Sequence, residues 1–122
     1  MILGIGIDSV DIARIERACF KWGERFLSKC FTNNELAYCN KKSYKFQHLA
    51  GRFSAKEAVF KALGIGWPAI CFSEIEVVNS SGPPSVRLLG KVKKIASKKG
   101  VSSILISISH TDGRAEAMAI CQ

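Results

Sequence analysis

Two acidic residues and several cations in this 122-residue chain have the chemistry of a site for a metal ion and phosphate groups. Asp8 follows a short apolar segment near the N-terminus, and Glu57 lies within residues 53–61, which also carry lysines. Mg²⁺ prefers oxygen ligands and typically takes one or two protein carboxylates, while substrate phosphates and waters complete its shell. Lys and Arg side chains neutralise charge on a phosphoryl group during transfer. The residue types therefore indicate a magnesium–phosphate site, although spacing alone does not place Asp8 beside Glu57.

The segment that precedes Asp8 has glycine at alternate positions. Residues 2–8 read as a strand in which Gly4, Gly6 and Asp8 share one face, opposite large apolar side chains. Glycine weakens a strand unless another segment approaches its backbone closely, so we expect close packing on this face, with Asp8 at the strand end. A simpler interpretation makes Asp8 the N-cap of the helix that follows.

The strongest helical pattern covers residues 46–63, and Gly64 is expected to end this helix. At 100° per residue, Lys56 falls near the middle of the apolar stripe, Glu57 falls at its border, and Lys61 lies one turn beyond Glu57. In one interpretation Glu57 and Lys61 form a solvated ion pair and Lys56 extends to the surface. In the other, the helix holds charged groups against an apolar wall, as phosphate and metal chemistry require. The solvated ion pair explains the position of Lys61 well, but it explains poorly why Lys56 lies in the apolar stripe.

A second group of cations lies in residues 11–22, which the apolar periodicity predicts to be a helix. Arg14, Arg17 and Lys21 recur at spacings of three and four, and Arg25 would extend this basic stripe if the helix continued. A charged stripe is usually just a solvated face. A stripe of a single sign favours a docking surface for an acidic partner.

The C-terminal segment predicts a hairpin. Residues 103–109 alternate as a strand, His110 begins the turn, and the return strand places Ala115, Ala117 and Ala119 on one face. Side chains this small predict close packing by a helix or by another subunit. His110 follows a hydroxyl-rich strand end, from which no catalytic triad can be read. The fold class expected is α+β, an antiparallel sheet covered by helices, in a single domain over residues 1–122.

Composition narrows the class of protein. The chain carries 18 Lys and Arg against 10 Asp and Glu, a formal net charge of +8, and 48% of its residues are hydrophobic. A hydrophobic content this high excludes a disordered tail, which would be poor in apolar residues. No apolar run approaches the roughly 18 residues that a membrane span needs. The first residues lack the pattern of a secretory signal, and five cysteines without metal-ligand spacing favour reduced thiols. We therefore expect a cytoplasmic protein with an anionic partner and no membrane contact.

Three segments, in this order, resemble the holo-[acyl-carrier-protein] synthase family, the small bacterial class of 4′-phosphopantetheinyl transferases. They are GIGID at residues 4–8, FSAKEA at residues 53–58, and Ser-His at residues 109–110. The resemblance runs across essentially the whole chain. It implies transfer of the 4′-phosphopantetheine group of coenzyme A to a serine of apo acyl carrier protein, with release of adenosine 3′,5′-bisphosphate and a role in fatty acid biosynthesis.

The resemblance also implies roles for single residues. Asp8 and Glu57 match the family's Mg²⁺ ligands, and Lys61 would pair with phosphate. The attacking serine belongs to the partner, so the enzyme needs no nucleophile of its own. The proton acceptor stays open between Glu57, a metal-bound water and His110. The positions that match the coenzyme A region are Arg52, Lys56, Lys61, Gly64, Gly66 and His110.

The family's contact with the acidic carrier protein matches Arg14, with Arg17, Lys21 and Arg25 nearby. The family typically forms a homotrimer with sites between subunits, which the alanine face at residues 115–119 would suit.

Two other classes of protein remain as alternatives. A nucleic-acid-binding module would interleave aromatic residues with exposed basic ones, and the basic stripe carries none on its face. A metal-dependent phosphoesterase would use the same carboxylates and differ in its products.

Overall fold

One long helix crosses the inner face of a three-stranded antiparallel sheet in the computed structural model, which describes residues 1–66 and 70–122. The sheet has the strand order β1-β5-β4, and β2 and β3 form a separate hairpin. The elements in chain order are β1 (Gly4–Asp11), α1 (Ile12–Trp22), α2 (Glu24–Cys30), α3 (Asn33–Asn40), α4 (Lys45–Leu63), a 3₁₀ turn (Phe72–Glu74), β2 (Ile75–Val78), β3 (Ser85–Leu88), α5 (Gly90–Lys98), β4 (Ile104–Thr111) and β5 (Arg114–Cys121). The α+β class expected from the sequence is confirmed.

The contact between β1 and α4 is closer than a side chain would allow. A Cβ atom built on Gly4 would overlap the carbonyl oxygen of Ala62, and one built on Gly6 would overlap that of Ala58. The two glycines therefore let the strand backbone lie directly on the helix backbone. The close approach predicted for this strand is confirmed.

The alanine face of β5 packs against the same helix. Ala115, Ala117 and Ala119 are all buried, and β5 runs alongside α4. The sequence predicted that either a helix or another subunit packs on this face, and the structure shows a helix, α4. The idea that the alanine face suits subunit assembly is therefore corrected, because α4 already fills it.

Large apolar side chains lie on the opposite, outer face of the sheet. Ile5 and Ile7 of β1 are each 63% exposed, Leu105 of β4 is 55% exposed, and Met118 of β5 is 40% exposed. A contiguous exposed apolar face of this kind is typical of a surface that meets another protein.

Two helices begin or end where the sequence predicts: Thr32 with Glu35 three residues later is a capping-box pattern, and Gly64 is expected to end the long helix. Thr32 caps α3 through a complete capping box with Glu35, in which each side chain bonds the other residue's backbone N–H. Gly64 ends α4 in the left-handed conformation, with φ of 69°.

Two strands are longer than predicted, which corrects the placement of two site residues. β1 continues to Asp11 because it pairs with β5 along its whole length, so Asp8 lies within the strand and Asp11 takes the N-cap position of α1. β4 likewise continues to Thr111, which places His110 in the ladder opposite Ala115 and not in the turn. Cross-strand pairing, which local sequence does not reveal, sets both lengths.

No helix among the described residues combines the length and the apolar character needed to cross a membrane.

Replacing Gly6 with alanine is expected to destabilise the fold by about 1–3 kcal/mol, the usual cost of overpacking. The added methyl group meets the Ala58 carbonyl, a backbone group that cannot rotate away. Thermal unfolding measures the effect. Gly66→Ala is the matched control, because a Cβ there has open space and Gly66 does not have positive φ. Equal melting temperatures for the two variants would contradict the close contact of β1 with α4.

Candidate active site

Asp8, Glu57 and Lys61 come together where β1 crosses α4. Lys61 Nζ lies 3.3 Å from Asp8 Oδ1 and donates a 2.9 Å hydrogen bond to the carbonyl oxygen of Ile7. Ser54, one turn before Glu57 on the helix, donates to the Asp8 carbonyl oxygen at 2.9 Å and lies 3.2 Å from Asp8 Oδ2. The structure thus supplies the contact between strand and helix that spacing did not.

The two carboxylates interact electrostatically. Burial of Glu57 and the negative charge of Asp8 raise the pKa of the Glu57 carboxyl, whereas Lys61 and Arg14 act to lower it. The Asp8 side chain is only 15% exposed, while that of Lys61 is 54% exposed. The site therefore has two partly buried acids beside a cation that still reaches solvent.

This donor set fits Mg²⁺. Two carboxylates of neighbouring elements supply hard oxygen ligands, and their mutual repulsion favours a cation between them. Within residues 1–66 and 70–122, no three His, Cys, Asp or Glu side chains group together as a complete metal cage. Mg²⁺ commonly needs no such cage, because substrate phosphates and waters provide the remaining ligands.

The basic stripe lies on the surface of α1 and α2. Arg14, Arg17, Lys21 and Arg25 are all exposed. Arg14 is near enough to Glu57 to influence its pKa, which connects this surface with the carboxylate pair. Arg25 lies on α2, since α1 ends at Trp22.

The prediction that no aromatic residue accompanies the basic stripe is wrong. Lys21 Nζ lies 5.0 Å from the centre of the Trp22 ring, and Trp22 is 50% exposed. The apolar periodicity of residues 11–22 predicts that Trp22 lies on the apolar side of the helix, with Ile12, Ile15 and Cys19. Because it is the last residue of α1, it is not held under the core.

Arg52 and His110 belong to a second cluster, on the N-terminal half of α4. Arg52 is buried, bonds Asn79 in the loop after β2, and stacks 4.2 Å from the Tyr38 ring centre. His110 packs so closely on Gly51 that its Nε2 lies 2.7 Å from where a Cβ would be. Within the described residues, Arg52 Nε and His110 Nε2 are buried without a hydrogen-bond partner. Unpaired buried polar atoms are costly, which suits a ligand that completes them.

His110 is neutral over a wider pH range than an ordinary histidine. Burial and the nearby Arg52 lower its pKa, while a hydrogen bond with the Gln47 backbone acts in the opposite direction. Within one chain His110 lies apart from Asp8, because β5 separates their strands and neighbouring strands are about 5 Å apart. The structure does not bring His110 to the carboxylate pair of its own chain.

The prediction of Lys56 as a coenzyme A ligand is corrected. Its side chain is completely buried and donates to Glu35 Oε1 at 2.6 Å and to the carbonyl oxygens of Cys30 and Phe72 at 2.6 and 3.0 Å. All three hydrogens of the ammonium group are therefore used. Glu35 in turn accepts a bond from the Val77 N–H, so the ion pair ties α3, α4 and β2 together.

The two glycines predicted near coenzyme A lie at the end of α4. Gly64 is the C-terminal cap, and Gly66 is exposed with open space around it among the described residues.

The sequence analysis does not predict three residues that lie close to the carboxylate pair or to the Arg52–His110 cluster: Ser54, His48 and Asn79. His48 and Ser54 lie one turn from Arg52 and Glu57 on α4, so helical spacing could have found them. Asn79 is brought in only by the tertiary fold.

A carboxylate pair beside a lysine, shared between a strand and the helix that crosses it, is typical of enzymes that handle phosphate groups with a divalent cation. The sequence model described as 4′-phosphopantetheinyl transferase superfamily matches residues 4–121. The chain belongs to this superfamily and is an enzyme of that class.

Individual relatives agree with this assignment. The chain is 47% identical over 111 residues to a holo-[acyl-carrier-protein] synthase of Halothermothrix orenii, covering 90% of this chain and 89% of that protein. The crystal structure of holo-[acyl-carrier-protein] synthase from Neisseria meningitidis superposes with a TM-score of 0.91 at 31% identity, covering 100% and 99% of the two chains. The Helicobacter pylori synthase, solved in complex with coenzyme A, gives a TM-score of 0.84 at 32% identity, covering 97% and 99%.

Replacing Lys56 with methionine is expected to destabilise the protein by about 3–5 kcal/mol, because Glu35 would remain as an unpaired buried charge. Lys61→Met on the same helix is the matched control, and it should cost less than about 1 kcal/mol because Lys61 is half exposed. Chemical denaturation measures both. If the two variants unfold at the same denaturant concentration, the structural role assigned to Lys56 is wrong.

Proposed function

We propose that this chain transfers the 4′-phosphopantetheine group of coenzyme A to a serine of apo acyl carrier protein and releases adenosine 3′,5′-bisphosphate. The reaction is Mg²⁺-dependent, takes place in the cytoplasm, and supports fatty acid biosynthesis. Residues 1–122 act as one domain. The observation that carries this proposal is the meeting of Asp8, Glu57 and Lys61 at the crossing of β1 and α4 in a member of this superfamily. Relatives named for this activity, one of them solved with coenzyme A, support it.

Asp8 and Glu57 hold the metal ion in this proposal. A Mg²⁺ ion held there would supply positive charge that offsets the charge of the coenzyme A diphosphate during transfer. Ser54 fixes the Asp8 backbone and side chain against α4, so the first ligand is held in place. Lys61 uses two of its hydrogens on Asp8 and Ile7, and its half-exposed ammonium can turn a third toward a phosphate oxygen.

Arg52 and His110 bind the nucleotide part of coenzyme A in this proposal. The buried guanidinium supplies positive charge, and the unpaired Arg52 Nε and His110 Nε2 supply hydrogen-bonding groups. Gly64 and Gly66 at the end of α4 leave open backbone beside the cofactor, and Lys56 is omitted because it is completely buried.

The basic stripe docks the acidic carrier protein. Its four cations are exposed, and the influence of Arg14 on Glu57 brings this surface to the edge of the carboxylate pair. A carrier protein bound there has its serine directed at the metal site. Electrostatic attraction of this kind raises the rate of encounter and fixes orientation.

The active assembly is a homotrimer with sites between subunits. Two observations support this: the exposed apolar residues on the outer face of the sheet, and the distance between His110 and the carboxylates of its own chain. A neighbouring chain would then supply His110 to the site. Light scattering of the full chain tests this assembly, and a monomer would contradict it.

Incubation with apo acyl carrier protein, coenzyme A and Mg²⁺ should add one phosphopantetheine group to the carrier, detected by intact-mass spectrometry. Asp8→Asn and Glu57→Gln should abolish the adduct or raise the Mg²⁺ concentration needed, because each removes one charged oxygen ligand. Asp112→Asn, exposed in the turn between β4 and β5, is the control carboxylate. Coenzyme A cleavage without any adduct would instead favour the phosphoesterase, and no reaction at all would refute the proposal.

Arg14→Glu should raise the KM for the carrier protein by about tenfold while the KM for coenzyme A stays unchanged, since it places a negative charge on the docking surface. Lys91→Glu makes the same charge change on the exposed side of α5 and serves as the control. Steady-state kinetics with each substrate varied in turn measures both values. Unchanged affinity for the carrier in Arg14→Glu would remove the basic stripe from the docking surface.

A further inference from the structure

A cleft opens beside Lys61, on the side away from Arg52 and His110. Its walls come from the start of β1, the end of α4, and the segment that follows α5, and its volume is about 420 Å³. The residues that line it are Leu3, Gly4, Ile5, Lys61, Ala62, Leu63, Gly64, Lys99 and Val101. This volume is within the range of small-molecule sites.

Lys99 stands at the wall of this cleft. It follows directly after α5, and its Nζ lies 3.5 Å from where a Cβ of Gly64 would be. The absence of a side chain at Gly64 leaves the ammonium group open to the cleft. Lys99 and Lys61, which are far apart in sequence, therefore border the same space.

One of the two lysines that line the cleft has no compensating charge. Among the described residues the lining has two lysines and no acidic side chain. Lys61 is paired with Asp8, whereas within the part of the chain that the structure describes Lys99 has no salt-bridge partner. The other residues of the lining have apolar side chains or are glycine, so none of them neutralises Lys99. An anionic ligand with a less polar portion is the chemistry that complements this arrangement.

We propose that Lys99 is a second coenzyme A-binding cation, which together with Lys61 holds the diphosphate of the substrate at this cleft. The inference rests on the proposed function and adds to it a residue that lies outside the three segments of family resemblance. Lys61 touches Asp8, so the phosphates that reach the carboxylate pair lie at the mouth of the cleft that Lys99 borders. The diphosphate is favoured over the 3′-phosphate because Arg52 and His110 lie further towards the N-terminus of α4 than Lys61 does.

A structural role for Lys99 makes a different prediction. Cations near a helix C-terminus stabilise it through the free carbonyl groups, and Gly64 ends α4 beside Lys99. A lysine with that role alone would affect the melting temperature and leave the affinity for coenzyme A unchanged.

The test compares Lys99→Gln with Lys98→Gln in the full chain. Both lysines are exposed at the end of α5 and each substitution removes one positive charge, but only Lys99 lines the cleft. Calorimetric binding of coenzyme A should weaken about fivefold in Lys99→Gln relative to Lys98→Gln, with a matching rise in KM and unchanged kcat. Lys99→Arg should keep most of the affinity. The same loss should be measured with 3′-dephospho-coenzyme A, which retains the diphosphate.

Equal affinities in Lys99→Gln and Lys98→Gln would overturn the inference, as would a lower melting temperature with unchanged binding. A loss that disappears with 3′-dephospho-coenzyme A would overturn the assignment to the diphosphate. Wild-type protein that binds coenzyme A but transfers nothing to the carrier would refute the proposed function and not this inference, because the binding comparison does not depend on transfer.

Discussion

The direct contact of the β1 backbone with the α4 backbone is the constraint on which the site depends. Two glycines remove the side chains that would otherwise separate strand and helix. Only at this short separation can Lys61 reach the carbonyl of Ile7 and the carboxylate of Asp8, and Ser54 bond the next carbonyl along the strand. Glycine at alternate positions is therefore required for the contacts of Lys61 and Ser54 with β1 as well as for packing.

Two lysines of α4 differ in how deeply they are buried. Lys56 is completely buried and neutralises Glu35, which fixes α4 against α3 and β2. Lys61, five residues later, remains half exposed beside Asp8. A buried ion pair adds little net stability compared with apolar packing, but it penalises any arrangement that leaves one partner alone. This penalty holds α4 in the one register that presents Glu57 and Lys61 to β1.

Much of the fold follows from local sequence signals. The capping box at Thr32, the left-handed Gly64 and the alternating alanines of β5 act within a few residues, so their consequences could be predicted. The placement of Asp8 at a strand end and of His110 in a turn failed because strand length is set by pairing with a distant strand. The role of Lys56 also depended on a distant partner.

The cations of the protein lie in separate regions. The cations of α1 and α2 are exposed around Arg14, whose charge acts to lower the pKa of Glu57, while Arg52 is buried near His110 on the N-terminal half of α4. A single chain thus holds a carboxylate pair at one place and a histidine with an unpaired nitrogen at another. A second chain beside the first would bring further groups to either place, and the exposed Ile5 and Ile7 make the outer face of the sheet a suitable surface for such a contact.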